Sequence, residues 1–209
     1  MTRVVVIDSG VDANHPAVRG RATVVRGACF RATADQDADP LGHGTAVAAT
    51  ILRFPSVQPV ELHSLAVFGR EPVCDFQRVL AALAAAIELR PALINLSLGT
   101  TSLRHRAPLR ELLRRARSNG CRVVAPASYG GLPADPGNLP EAEAVVGDPN
   151  VLPMLPELRR CGDRFVWFAS PLPPPAADGV QRLLARGDSL AVAAVTGCLL
   201  RSLPADATQ

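Results

Sequence analysis

From Leu190 to Leu200 the chain reads LAVAAVTGCLL, with no charged residue on any helical face. A helix that is apolar all round has to run through the middle of a packed domain, and this run is too short to cross a bilayer. The remaining elements must therefore enclose it. Its first turn breaks the pattern, because Gly187, Asp188 and Ser189 set a carboxylate and a hydroxyl among free backbone N–H groups at a positive dipole end. Two readings stand at this point: Asp188 as N-cap of a core helix with an ordinary Ser behind it, or Ser189 as a nucleophile with backbone donors ready for an oxyanion.

With 209 residues, 48% of them hydrophobic, the chain can bury one substantial core. A single domain over residues 1–204 is expected, with 205–209 as a flexible tail. All 22 basic residues are Arg, yet the net charge is only +3, which gives no global pull toward nucleic acid. Cys29, Cys74, Cys121, Cys161 and Cys198 form no CxxC pair, which argues against a disulfide framework and a zinc site. Most are expected to be buried thiols. The opening MTRVVVID enters β-type sequence within three residues, leaving no room for a secretory signal, and no apolar run is long enough to span a membrane. The expectation is a cytoplasmic protein without membrane or nucleic-acid partners.

Arg3 to Asp8 is a β-branched run closed by Ser9-Gly10, a buried strand that delivers Asp8 to its C-terminal end. In open α/β sheets that edge binds ligands. Asp35, Asp37 and Asp39 alternate in a turn-rich stretch and would offer oxygen ligands to calcium, but the Gly and distal Glu of an EF-hand loop are missing. A solvated loop and no cofactor are expected there. Gly42-His43-Gly44-Thr45 then opens a small-residue helix, the two glycines permitting close approach of backbone or ligand. Further strands are expected at 60–68, 92–96, 121–125, 142–147 and 165–169. Helical periods cover 75–90, capped by Asp75, and 108–119, with Pro108 near N1. His15 and His63 read as structural. Strands alternating with helices imply a parallel sheet covered on both faces.

Asp8, His43 and Ser189 thus stand at element ends, in that order. The segments VVVIDSGVDANHP, GHGTAVAATI and GDSLAVAAVTG resemble the Asp, His and Ser segments of the subtilisin-like serine proteases, and ALINLSLGT resembles the strand lining their substrate cleft. The resemblance covers nearly all of residues 3–203. It implies a three-layer α/β/α sandwich with a mostly parallel central sheet, and a serine endopeptidase acting on a peptide or protein. Ser189 would be the nucleophile, His43 the general base and Asp8 its orienting carboxylate. Ser97, Leu98 and Gly99 on one side, and Ala125, Pro126 and Ala127 on the other, would offer backbone edges to an extended substrate.

Four departures from the family pattern bear on activity. Where the family reads A-A-G-N this chain has Pro126-Ala127-Ser128-Tyr129, so the oxyanion Asn is absent, and Ser128 and Tyr129 are the candidates to replace it. Asp188 replaces the Thr before the nucleophile, and Ala193, Ala46 and Ala49 are packing changes. The sequence also enters its first core strand at Arg3, and no propeptide is expected. The alternative implied is a pseudoprotease that keeps the cleft to bind a peptide or partner protein. The basic series Arg104, Arg106, Arg110, Arg114, Arg115 and Arg117 is a solvated helix face or a dock for an acidic partner.

Overall fold

Eight strands hydrogen-bond into one sheet around which the helices are layered. The computed structural model describes residues 1–31, 38–173 and 187–204. In chain order the elements are β1 (Thr2–Asp8), β2 (Thr23–Cys29), α1 (His43–Ile51), β3 (Val60–Ala66), α2 (Phe76–Glu88), β4 (Leu93–Leu96), a 3₁₀ turn (Leu103–His105), α3 (Arg106–Ser118), β5 (Arg122–Pro126), β6 (Ser128–Tyr129), β7 (Leu132–Pro133), β8 (Glu143–Gly147), β9 (Glu157–Cys161), β10 (Arg164–Ala169) and α4 (Asp188–Arg201). The strand order is β2-β3-β1-β4-β5-β8-β10-β9, parallel throughout except for β9, while β6 and β7 form a separate small hairpin. This is the expected α/β sandwich around a mostly parallel sheet.

Alternation along each strand splits the core in two. Val4 and Val6 of β1 face α1 and α4, whereas Val5 and Ile7 face α2 and α3. Helix α4 is buried from Leu190 to Gly197 and again at Leu199 and Leu200, as an all-apolar helix requires. It meets α1 so closely that a Cβ on Gly197 would stand 2.7 Å from the Ile51 carbonyl oxygen and 2.3 Å from Phe54 Cδ2. The sheet order reverses between β1 and β4, so the crevice beyond their C-terminal ends is a topological switch point, where ligands of open α/β sheets bind.

The structure alters several local expectations. Pro108 lies in the third helical position of α3, because the helix begins at Arg106. Strands β2, β6, β7 and β9 are additional: β2 is half exposed, β9 is a charged edge, and β6 and β7 have two residues each, so none carries a buried apolar run. Among the cysteines, all of them free thiols, only Cys121 is buried; Cys29 and Cys161 are exposed and Cys74 and Cys198 half-buried. Burial pushes the Cys121 thiol up to about 12. His15 caps its own turn, its Nδ1 accepting from Ala17 N–H, and His63 pairs with Glu61 at 2.7 Å. No helix among the described residues is long and apolar enough to cross a membrane.

Candidate active site

Asp8 is buried at the end of β1, and its Oδ1 accepts the Ser9 N–H at 2.7 Å. Helix α1 starts directly above this turn, since a Cβ on Gly44 would lie 2.0 Å from the Gly10 carbonyl oxygen. Only glycine permits that approach, and it carries His43 onto Asp8, Nδ1 to Oδ1 at 2.7 Å. A carboxylate partner makes Nδ1 the donor, leaving Nε2 as the basic nitrogen. Burial opposes charging the imidazole, but the Asp8 hydrogen bond and the charges of Asp8 and Asp39 outweigh it, and the His43 pKa is raised.

Ser189 reaches the same crevice from α4. The N-cap is Gly187, in a backbone conformation with φ 118° that glycine favours, so Asp188 is the first helical residue and not the N-cap, and Ser189 is the second. The Ser189 hydroxyl donates to the Ser97 carbonyl at 3.1 Å, and among the described residues it makes no hydrogen bond to His43. Behind it a buried polar relay fixes α4 against β4: Thr196 Oγ1 donates to Asn95 Oδ1 at 2.9 Å, and Asn95 Nδ2 donates to Ser97 Oγ at 2.7 Å. The structure thus joins Asp8 to His43, and Ser189 to the cleft strand.

The two oxyanion candidates diverge. Ser128 turns its hydroxyl to Asp188 Oδ2 at 3.4 Å, while the other Asp188 oxygen lies over Gly147, 2.2 Å from where a Cβ would be. Tyr129 stands on the β6–β7 hairpin, 67% exposed. One Asn does lie nearby. Asn138, unnoticed in the sequence because it falls in a Pro-Gly turn, spends its Nδ2 on the carbonyls of Ala127 at 2.6 Å and Ala134 at 2.9 Å.

The two proposed substrate edges also differ. Leu98 and Gly99 follow β4 with backbone groups in no hydrogen bond among the described residues. Across the cleft, Pro126 has no N–H, Ala127 N–H donates to the Val145 carbonyl at 2.7 Å, and Ala127 O accepts from Ala134 N–H at 3.0 Å. The expectation of an open edge at 125–127 is corrected accordingly: Ala125 and Pro126 belong to β5, paired with β8, and Ala127 has both backbone groups engaged.

Asp35 and Asp37 lie outside the described residues. Asp39 is committed elsewhere, with Oδ1 2.6 Å from Ser9 Oγ and Oδ2 accepting Thr45 N–H at 2.7 Å. On the basic face, Arg106 pairs with Asp135, Arg110 and Arg114 with Glu141, and Arg115 with Glu88. Arg104 donates to His105, and Arg117 has no carboxylate partner among the described residues.

Comparison with known proteins bears on the sequence up to residue 145 and on the fold beyond it. The sequence model of the subtilase family (Peptidase S8) matches residues 2–145. Among solved structures, a cold-adapted subtilisin-like serine proteinase superposes with a TM-score of 0.71 at 22% identity, covering 95% of this chain and 74% of that one. A lanthipeptide protease does so with a TM-score of 0.68 at 18% identity, covering 96% and 72%. These two similarities describe the fold. No curated protein matches the sequence.

Proposed function

We propose, from the premise that the chain belongs to the subtilase family of serine peptidases, that it is an endopeptidase working through an acyl-enzyme on Ser189. The observation that carries this reading is the 2.7 Å contact of His43 Nδ1 with a buried Asp8, which leaves Nε2 as a base at the switch-point crevice. When a peptide enters along Ser97–Gly99, the Ser189 hydroxyl leaves the Ser97 carbonyl and turns to Nε2. Its oxygen bonds to the scissile carbonyl carbon as Nε2 takes the proton, and Asp8 stabilises the imidazolium. The Ser189 N–H, free in the first turn of α4, receives the oxyanion. Collapse breaks the C–N bond, and the amine leaves with the proton from Nε2. Water then attacks the acyl group by the same route.

With one backbone donor and a carboxylate beside it, turnover is slow. The contact of Ser128 with Asp188 favours a second reading, a pseudoprotease whose cleft binds a peptide or partner protein. A fluorophosphonate probe separates the two. Labelling that is lost in Ser189→Ala and in His43→Ala marks an activated nucleophile; a folded chain that never labels leaves the binding reading.

A further inference from the structure

We propose that Asp39 is a positioning residue for the Asp8–His43 pair, holding the end of β1 through Ser9 and the start of α1 through Thr45. Its two oxygens act on different elements. Oδ1 lies 2.6 Å from Ser9 Oγ, on the residue next to Asp8, and Oδ2 accepts the N–H of Thr45, two residues beyond His43, at 2.7 Å. One side chain therefore ties together the two segments whose separation sets the 2.7 Å contact of Asp8 with His43.

The Ser9 hydroxyl makes this more than a brace. It is fully buried, it accepts Gly44 N–H at 3.0 Å, and it has one proton to give. Two carboxylates compete for that proton, Asp39 Oδ1 at 2.6 Å and Asp8 Oδ1 at 3.1 Å. The nearer one takes it. Asp8 Oδ1 then serves only the Ser9 N–H and His43 Nδ1–H, both at 2.7 Å, and its charge stays directed at the imidazole. With Asn at position 39 the amide N–H₂ turns to Ser9 Oγ, the hydroxyl reverses, and Asp8 gains a competing donor. The charged groups in contact with this network are Asp8 on β1, Asp39 before α1 and Arg31, whose guanidinium donates to the Ser9 and Ala38 carbonyls. Of these, Asp8 and Asp39 act on the charge of His43.

The inference rests on the peptidase reading only in calling the pair catalytic, so the test needs no turnover. In the full chain carrying Ser189→Ala, the His43 imidazole is titrated by NMR with and without Asp39→Asn. That variant keeps a carbonyl oxygen to accept Thr45 N–H, so the start of α1 survives. The expected result is a lower His43 midpoint in a chain that stays folded. Ser9→Ala, which keeps both carboxylates and removes the link, should move the low-field Nδ1–H resonance upfield, and it serves alone if Asp39→Asn does not fold. An unchanged His43 midpoint in folded Asp39→Asn, or an unmoved Nδ1–H resonance in Ser9→Ala, overturns the proposal. Loss of probe labelling in the unaltered chain would defeat the peptidase reading and leave these two outcomes as they are.

Discussion

Ser128 and Asp188 are 60 residues apart in the chain, yet Ser128 Oγ lies 3.4 Å from Asp188 Oδ2, one residue before Ser189. A carboxyl group therefore occupies the neighbourhood in which the peptidase reading needs a hydrogen-bond donor. Removing one oxyanion-hole donor from subtilisin costs about 10²–10³ in kcat, and restoring one here is expected to recover a gain of that order.

The test is Asp188→Thr combined with Tyr129→Asn, and separately with Ser128→Asn. One of the two double variants should turn over a generic peptide faster, in a manner that disappears with Ser189→Ala. Folded double variants that stay silent would mean that the missing Asn does not limit catalysis. Gly147→Ala approaches the same question by another route, because its methyl would meet Asp188 Oδ1 at 2.2 Å and push the carboxylate off its perch.

His43 binds its proton more tightly in the folded chain than in the unfolded one, since the Asp8 hydrogen bond and the two carboxylate charges outweigh burial. The stability this contributes is fully present below the unfolded imidazole value of about 6.5 and is lost as the pH rises through the higher folded value. The melting temperature of the chain should therefore exceed that of His43→Gln by more at pH 5 than at pH 9. Activity runs the other way. A general base must be neutral, so kcat/KM should climb with pH through the raised value.

At Gly197 an added methyl would meet the Ile51 carbonyl oxygen at 2.7 Å and Phe54 Cδ2 at 2.3 Å. Phe54 can turn, but the backbone of α1 cannot yield without moving His43. Gly197→Ala is expected to cost about 1–3 kcal/mol in chemical denaturation, the range for overpacking a tight core.

If an acidic partner docks on α3, it meets Arg104 and Arg117 first, because Arg106, Arg110, Arg114 and Arg115 already face carboxylates of their own chain. Arg104→Glu with Arg117→Glu should then weaken partner binding and flatten its salt dependence without altering hydrolysis of a small substrate. Unchanged binding returns the face to solvent.

Much of this architecture is legible in the sequence where the signal is local. The buried run of β1, the Asp75 cap of α2, whose side chain accepts Gln77 N–H, and the uncharged faces of α4 each follow from residues within one turn or one strand. Asp8 and His43 are legible because each opens or closes an element within two residues of a glycine. What stays hidden depends on contacts across long stretches of chain. Asp39 looks like one member of an acidic series until Ser9, 30 residues earlier, supplies its partner. The engagement of Ala127 by Asn138 and the Asp188–Ser128 contact arise only once β5, β8 and α4 are side by side. Cysteine burial is misjudged for a related reason: Cys29 and Cys161 end edge strands, where no neighbour covers them.

The closed backbone of Ala127 has a practical consequence for reagents. A ligand that imitates a β-strand and relies on being gripped from both sides would find one willing edge, at Leu98 and Gly99, and across from it Ala127, whose N–H and carbonyl are already spent. Lengthening such a strand mimic would add little to its hold. On the peptidase reading, selective reagents for this chain should instead be short and reach Ser189 with an electrophile.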